Sequence, residues 1–516
     1  MPLQESYEAV LKRLPAISRP VQRLTFREKI RWTLIILLIY VIMAQIQVFG
    51  VDKEASQRLR IVEILLGSSF GSLMSLGIGP VVTSSIILQL LIGSKLIPWD
   101  LKSEGGRMLF QGTQKILGVA FSFIEAIIFV SFGTIKATGG NEMLVIGQLA
   151  LGGVLVIFMD ELISKWGFGS GISLFIVTGV SKNLLVQSLN PFTRAGTFPT
   201  EGNPAEGIIP NAVSSLIAGN PTNAFLSLLP LFATVLVFFI VIYINSVKVE
   251  IPLAFGMVRG FGRRWPLKFL YTSNIPVILI AALLANIQLL GSMLKNSGLS
   301  WLGSYDPATN TATGIIFYLT LPSNNPAISG LVISMAAFAL AGIAIAYVAR
   351  RSALKIGLIA IVIGILFWFG LVRYLGLTSL DIIASWDANA LDVARAFTYT
   401  LFLMAGSVVF AYFWMISAGM DSKSVAGQIH SIGMQIPGYR RDVRIIESVL
   451  DRYIPALAVL GGATVGFIAA FADLTSAVGT GTGLLLATMI VYQLYEEIAA
   501  KHMEDLHPAL RRFVES

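Results

Sequence analysis

Apolar residues in this chain of 516 residues are gathered into runs that are each long enough to cross a lipid bilayer. A helix needs about 20 predominantly apolar residues to span the hydrocarbon core, and runs of that length recur along the whole sequence. Pro and charged residues are concentrated between the runs. The pattern predicts an all-α polytopic membrane protein with twelve spans, at 30–49, 76–95, 114–135, 142–160, 170–188, 224–246, 272–294, 329–349, 354–375, 395–417, 453–472 and 476–495.

The second span begins with a break. Gly77, Gly79 and Pro80 interrupt the apolar run, and proline removes a backbone donor and clashes with the preceding turn. Just upstream, residues 61–74 form an apolar segment that is too short to span. Because non-helical backbone at membrane depth persists only where it is buried in protein or lines a cavity, the broken segment indicates a pore or a binding site. The alternative is a re-entrant turn that is packed for structural reasons alone.

Basic residues predict the orientation of the chain. With a cytoplasmic N-terminus, 28 of the 37 Lys and Arg residues fall on the cytoplasmic side, as the positive-inside rule requires. The opposite orientation reverses this ratio, so both ends are expected to be cytoplasmic. Residues 1–31 hold seven basic side chains and no apolar run, which argues against a cleavable signal peptide.

Composition excludes several classes of protein. Only 13% of the residues are charged, against about 25% in soluble domains, and the mean hydropathy is +0.77. The absence of cysteine excludes disulfides and thiolate metal sites, and the three histidines lack metal-ligand spacing. No paired aspartates, HExxH motif or GxSxG motif with a histidine partner is present. We therefore expect neither an enzyme nor a bound cofactor.

Two cytoplasmic segments, Ser246–Phe269 and Gly419–Tyr453, are basic and much longer than the two to eight residues that bundle helices need as connections. Their charges serve at least to set topology. The second hypothesis is that they bind a polyanion through phosphate contacts. No base-reading module accompanies them, so sequence-specific recognition of nucleic acid is not expected.

Glu125 is the ionisable residue that stands out inside a predicted span. A carboxylate in lipid is costly and indicates a functional site by default, with a protonated structural glutamate as the alternative. Thr83 and Asn286, on two other spans, are candidate partners. The GFGSG run at Gly167–Gly171 follows a predicted helix rather than a strand, so it indicates a tight turn and not a dinucleotide site.

Several longer runs of sequence resemble the SecY family, the large subunits of the protein-conducting Sec translocon, in the archaeal form that is close to the eukaryotic alpha subunit. The matching runs are TFREKIRW at 25–32, LGIGPVVTSSIILQLL at 76–91, RMLFQGTQK at 107–115, DELISKWGFGSGISLFI at 160–176, VEIPLAFG at 249–256, YTSNIPVILIAALLANIQL at 271–289, GMQIPGYR at 433–440 and GTGLLL at 481–486. The resemblance implies a channel that passes unfolded secretory polypeptides and releases hydrophobic segments sideways into lipid.

The resemblance also implies a domain organisation. Two pseudo-symmetric halves of five helices each surround a central pore, and a plug lies at about 56–74. A pair of spans inserted at about 329–390 adds a two-helix hairpin where the ten-helix family has an outside loop. The implied segments are a cytoplasmic N-terminal segment at 1–29, an N-terminal half at 30–188, an external loop at 189–223, a C-terminal half at 224–496 and a cytoplasmic tail at 497–516.

Site residues follow from the same resemblance, position by position. An aliphatic pore ring is implied, with a plug beneath it and a polar cluster at a lateral gate between spans 76–95 and 272–294. Basic residues of the two long segments are implied to bind the ribosome, although Met257 stands where a further basic residue is expected. The pore ring comprises Ile78, Val82, Ile172, Ile176, Ile278 and Leu486; the plug residues are Ile61, Ile64, Leu65 and Phe70; the gate cluster is Thr83, Glu125 and Asn286; the ribosome-binding residues are Arg259, Arg263, Arg264 and Arg440.

The implied partners are the ribosome, signal sequences and nascent polypeptides, membrane lipid, and small single-span subunits of the SecE and beta types. The implied location is the plasma membrane. The number of spans also permits a competing class, because twelve spans with both ends inside suit a secondary transporter of small solutes. Coupled transporters usually need ionisable groups near the midplane, and Glu125 is nearly the only candidate.

Overall fold

The fold is a bundle of mostly apolar helices with a small three-stranded sheet and a separate pair of short strands. The computed structural model describes residues 11, 15–22, 24–51, 71–93, 96–99, 103–131, 135, 137–138, 140–193, 197–199, 204–255, 262–272, 275–296, 303, 305–306, 311–321, 333–334, 337–338, 353–374, 386–435 and 442–505.

Fifteen helices are described along the chain. They are α1 (Phe26–Met43), α2 (Gly79–Gly93), α3 (Glu104–Ser131), α4 (Glu142–Trp166), α5 (Gly171–Leu189), α6 (Ile208–Ile217), α7 (Pro221–Ser246), α8 (Ile275–Asn296), α9 (Gly314–Tyr318), α10 (Ala353–Tyr374), α11 (Trp386–Ser417), α12 (Ser422–Ser431), α13 (Val443–Leu450), α14 (Ile454–Leu474) and α15 (Gly481–Asp505).

Helices occupy the predicted spans wherever the structure describes them. Six described segments are long and apolar enough to cross a membrane, and they overlap the predicted spans 114–135, 142–160, 170–188, 224–246, 395–417 and 453–472. The spans at 76–95, 272–294 and 354–375 contain shorter apolar helices, and α1 and α15 overlap the first and last spans. The span at 329–349 lies outside the described residues except at four positions.

The predicted break before α2 is present. Helix α2 begins only at Gly79, and Gly77 has a φ of +51°, which an L side chain adopts at a cost. Residues 71–78 form turns, and Leu73 N–H donates to the Ile46 carbonyl at 2.9 Å. The break is therefore held by turns and by the segment that follows α1.

Three predicted connections contain regular structure that the sequence pattern did not reveal. The external loop at 189–223 includes α6, and Gly419–Tyr453 includes α12, α13 and a short strand, β5 (Met434–Gln435). The basic segment Ser246–Phe269 folds into two antiparallel strands, β1 (Lys248–Phe255) and β2 (Gly262–Lys268), in register from Lys248 opposite Lys268 to Ala254 opposite Gly262. The sheet order is β2-β1-β5, and a separate pair of two-residue strands is β3 (Tyr305–Asp306) with β4 (Thr311–Ala312).

The main hydrophobic core lies where helices of both halves meet. Helices α11 and α14 pack closely, as do α3 and α4, while α15 contacts both α5 and α7. One of two smaller clusters lies against the sheet, where Ile251 and Leu267 join Ile429 and Ile446. The sheet is thus anchored to the helical body through its apolar side.

Candidate functional site

The six aliphatic residues expected to form a pore ring belong to one hydrophobic cluster. Four of them are buried, with exposures of 6% or less: Ile78, Val82, Ile176 and Leu486. The two others, Ile172 and Ile278, are partly buried and pack against the same cluster.

Each ring residue lies at or near the start of its helix. Ile78 directly precedes α2, Ile172 is the second residue of α5, and Ile278 is the fourth residue of α8. Leu486 is the sixth residue of α15. Four separate helices therefore contribute these aliphatic side chains to the main hydrophobic core, which extends through both halves of the bundle. Side chains of this kind can act chemically only by excluding water and ions.

Metal binding is not suggested by the surroundings of this cluster. Within the described ranges, His, Asp and Glu do not gather into a group of three or more that could hold a metal ion. The plug residues Ile61, Ile64, Leu65 and Phe70 lie outside the described residues.

Two of the three gate residues meet. The Thr83 hydroxyl donates to Oε1 of Glu125 at 3.1 Å, in a partly buried contact that joins α2 to α3. Asn286 is exposed on α8 and forms no hydrogen bond with either residue. Helices α2 and α3 both belong to the first half. The Thr83–Glu125 bond therefore attaches α2 to α3 within that half and does not bridge the two halves. Helix α2 itself contacts α8 and α11 of the second half.

The basic hairpin presents charge at its surface. Arg264 is exposed, and its guanidinium donates to Oε2 of Glu250 on the neighbouring strand at 2.7 Å. Arg263 lies beside it in β2, where its backbone is described, and Arg259 and Arg440 lie outside the described residues. The hairpin is therefore a two-stranded arm with at least one exposed arginine.

At the base of the hairpin, Lys248 and Lys268 are opposite each other across the strands. Glu496 of α15 forms an ion pair with both, at 4.0 Å from Lys248 and closer to Lys268. Nearby, the Tyr271 hydroxyl donates to the Met420 carbonyl at 2.8 Å. Burial, with the charge of Asp421 as a smaller cause, raises the pKa of Tyr271 to about 12, so this hydroxyl remains a donor at neutral pH.

Sequence reasoning missed three ionisable residues, two of them buried and the third half-buried. Asp473 is 8% exposed and lies one residue beyond a predicted span, and Arg395 is 6% exposed at the start of another. The Arg395 guanidinium donates to the Leu321 carbonyl at 2.7 Å and lies 4.4 Å from the Phe317 ring centroid. The third residue is Asp160, whose Oδ1 accepts from the Ile172 N–H at 2.9 Å. In the sequence each lies only at the edge of a predicted span, where a charged residue usually belongs to a loop.

Comparison with known proteins gives a consistent result. The SecY family model matches residues 72–495. The protein translocase subunit SecY of Methanothermobacter thermautotrophicus is 37% identical, with 99% of each chain covered. A solved structure of a protein-conducting channel superposes with a TM-score of 0.73 at 35% identity, covering 97% of this chain and 98% of the other. Sec61 in the canine ribosome-channel complex from the endoplasmic reticulum gives a TM-score of 0.71 at 35% identity, with the same coverage.

These matches confirm the resemblance and the helical membrane fold that the sequence predicted. They extend over nearly the full length of this chain and of its relatives. The chain belongs to the SecY family of membrane channel proteins.

Proposed function

We propose that the chain is the central subunit of a protein-conducting channel, which passes unfolded secretory polypeptides across the membrane and releases hydrophobic segments sideways into lipid. The observation that carries this proposal is the superposition of 97% of the chain on a solved protein-conducting channel, and the six aliphatic residues all belong to the main hydrophobic core of this fold. An aliphatic constriction resists wetting by ions and offers a passing polypeptide no polar group to bind. Relatives that share this fold are named translocase subunits.

The alternative function is coupled transport of small solutes, and it predicts a different result in the same liposome experiment. Reconstituted complex should move a precursor with a signal sequence into liposomes, where it becomes protected from protease. Uptake of small solutes coupled to protons or sodium should be absent. Solute uptake without precursor protection would contradict the proposal.

The remaining roles are part of the same proposal. Residues 56–74 close the pore as a plug, and α2 and α8 separate to open a lateral gate for signal sequences. The basic hairpin of β1 and β2 and the segment around Arg440 bind the ribosome. The similar canine channel was solved in a ribosome-channel complex. Small single-span subunits of the SecE and beta types complete the complex. We place it in the plasma membrane with both termini in the cytoplasm, on the distribution of Lys and Arg.

Reversing the charge of Arg264 should weaken ribosome binding. Arg264→Glu removes a phosphate contact and adds a repulsive charge, so we expect affinity to fall by about tenfold and the dependence of log affinity on log salt to become shallower by about one. Binding is measured by co-sedimentation of the complex with ribosomes at several salt concentrations.

Matched variants keep this test specific. Glu250→Gln frees Arg264 from its ion pair and should leave affinity unchanged or raise it. Arg27→Glu makes the same charge reversal at an exposed position at the start of α1, outside both basic segments, and should have little effect. Equal losses in Arg264→Glu and Arg27→Glu would assign the effect to net charge and not to this arm.

Excision of the inserted hairpin should leave translocation largely active. The described helix of this insertion, α10, exposes apolar side chains suited to lipid contact: Leu358, Ile359, Val362, Ile363, Leu366 and Phe367. Deleting 330–390 removes an even number of spans, so the orientation of α11 and everything after it is retained. Protease protection of the precursor is the measurement.

A second deletion supplies the contrast. Removal of 353–374 alone takes out one span, which inverts the preferred orientation downstream and should abolish translocation. Complete loss in a stably expressed 330–390 deletion would show that the hairpin belongs to the working channel.

A further inference from the structure

Two carboxylates occupy comparable positions in the two halves, 11 and 8 residues before the glycine that begins the next helix, and Asp473 is buried while Asp160 is half-buried. Asp160, near the end of α4, accepts from the backbone N–H of Ile172 in the first turn of α5, at 2.9 Å. Asp473, near the end of α14, accepts through Oδ1 from the backbone N–H of Gly481 at 2.6 Å and of Thr482 at 3.3 Å. In each half, therefore, an aspartate of one helix holds the start of the next helix.

The two connections also repeat in backbone geometry. Gly169 and Gly479, which are 310 residues apart, have φ values of +67° and +88°. Gly171 and Gly481 have the same separation. A Cβ at Gly171 would lie 2.9 Å from Oδ1 of Asp160, and one at Gly481 would lie 2.1 Å from the backbone nitrogen of Asp473. Only glycine permits this close approach, so each carboxylate is seated against the helix that it holds.

The same separation connects the constriction residues. Ile176 and Leu486 are also 310 residues apart, and each lies five residues beyond the glycine that contacts its aspartate. Five residues correspond to about 7.5 Å along a helix axis. A shift or rotation at the first turn of α5 or α15 is thus transmitted through rigid helix to a side chain in the constriction.

The Asp473 site is the more extensively bonded of the two. Its Oδ2 accepts from the Thr482 hydroxyl at 2.6 Å and from the Tyr399 hydroxyl of α11 at 2.8 Å. One carboxylate therefore joins α11, α14 and α15. Next to it, the Gly479 N–H donates to Oε1 of Gln187 on α5 at 2.9 Å, so the turn before α15 is also tied to the first half.

We propose that Asp160 and Asp473 form a pseudo-symmetric pair of positioning residues, each of which fixes the start of one constriction helix and thereby keeps Ile176 and Leu486 in the closed arrangement. Helix N-termini leave backbone N–H groups unsatisfied, and a carboxylate there supplies an acceptor. At the buried Asp473 no water replaces a lost acceptor. The proposal rests on the pore assignment made above.

The test uses the complete reconstituted complex. Asp473→Asn and Asp160→Asn retain one acceptor oxygen and replace the other with an amide nitrogen, which cannot accept a hydrogen bond. Loss of one charge-assisted hydrogen bond should shift the closed-to-open ratio by about tenfold or more, seen as a higher resting current in planar bilayers. Because the chain has no cysteine, Leu486→Cys can be added to each variant, and its reaction with an impermeant thiol reagent should accelerate in parallel.

Further variants separate positioning from stability. Tyr399→Phe removes a single hydrogen bond and should raise the current less than Asp473→Asn. Glu142→Gln neutralises an exposed carboxylate in the first turn of α4 and should change neither readout. If Asp473→Asn does not assemble, Tyr399→Phe and Thr482→Val take its place. A resting current and a labelling rate at the wild-type level in both of these variants would overturn the inference.

The polar constriction variant Ile78→Asn with Ile278→Asn serves as the positive control. A leaky control together with silent Asp160→Asn and Asp473→Asn channels would overturn this inference alone. A control that is itself silent would overturn the pore assignment and the inference with it. Leakage in both aspartate variants with unchanged thermal unfolding of the complex would support the pair.

Discussion

A channel that carries Ile78→Asn together with Ile278→Asn should conduct ions at rest. Two hydrogen-bonding side chains in an aliphatic constriction favour water inside it, because a polar group left without a partner costs at least about 2 kcal/mol. Since 1.4 kcal/mol corresponds to a factor of ten, resting conductance should rise by about tenfold or more. Deletion of 57–72 should have the same direction of effect by removing the plug. Planar bilayers with purified complex provide the measurement.

The matched control keeps the constriction apolar. Ile78→Val with Ile278→Leu alters shape at the same two positions without adding a hydrogen-bonding group, and should retain the seal. Equal conductance in the polar pair, the apolar pair and the plug deletion, all at the wild-type level, would remove the pore assignment.

Loss of the Thr83 hydroxyl should lower the hydrophobicity that a segment needs for lateral insertion. Thr83→Val keeps the side-chain shape but removes the bond to Glu125, which holds α2 against α3. Hydrogen bonds between spans contribute about 0.6–2 kcal/mol. At about 0.5 kcal/mol per leucine, the threshold should fall by about one to four leucines in a graded Leu/Ala series of test segments.

Two companion variants test the other two residues of the gate cluster. Glu125→Gln retains an acceptor for Thr83 and should shift the threshold less than Thr83→Val. Asn286→Leu tests the exposed side of the gate on α8, where the described structure shows no bond to either residue. An insertion threshold that is identical in all three variants and wild type would remove the polar cluster from the gate.

Local sequence information was sufficient for the helices and for the break. In an apolar run of bilayer length, a helix satisfies the backbone hydrogen bonds within the segment itself. Gly77 and Pro80 delay the start of α2 whatever packs around it. The strands of the basic segment were not predicted, because Pro252 and Pro266 argue against strand in a single sequence. Their positions are tolerated in the fold, since β2 is an edge strand and β1 pairs with β5 only at Ala254 and Phe255.

Contacts between distant segments account for what the sequence could not show. Asp473 follows the predicted end of a span by one residue, so its position alone indicates a loop, and only the packing of α11, α14 and α15 buries it. The ion pairs of Glu496 with Lys248 and Lys268 join residues more than 200 positions apart. Neither hydropathy nor spacing carries that information. The six constriction residues are likewise ordinary aliphatic residues until a family or a structure groups them.

Site-specific photocrosslinking of an arrested precursor tests most directly whether polypeptide passes through the constriction. A photoreactive amino acid is placed singly at Ile78, Ile176, Ile278 or Leu486, and, as a lipid-facing control, at the exposed Phe239 of α7. Protein conduction through this pore predicts crosslinks from the four constriction positions to the hydrophilic part of the precursor, and none from position 239. Crosslinks confined to position 239, or absent from all four constriction positions during active translocation, would contradict it.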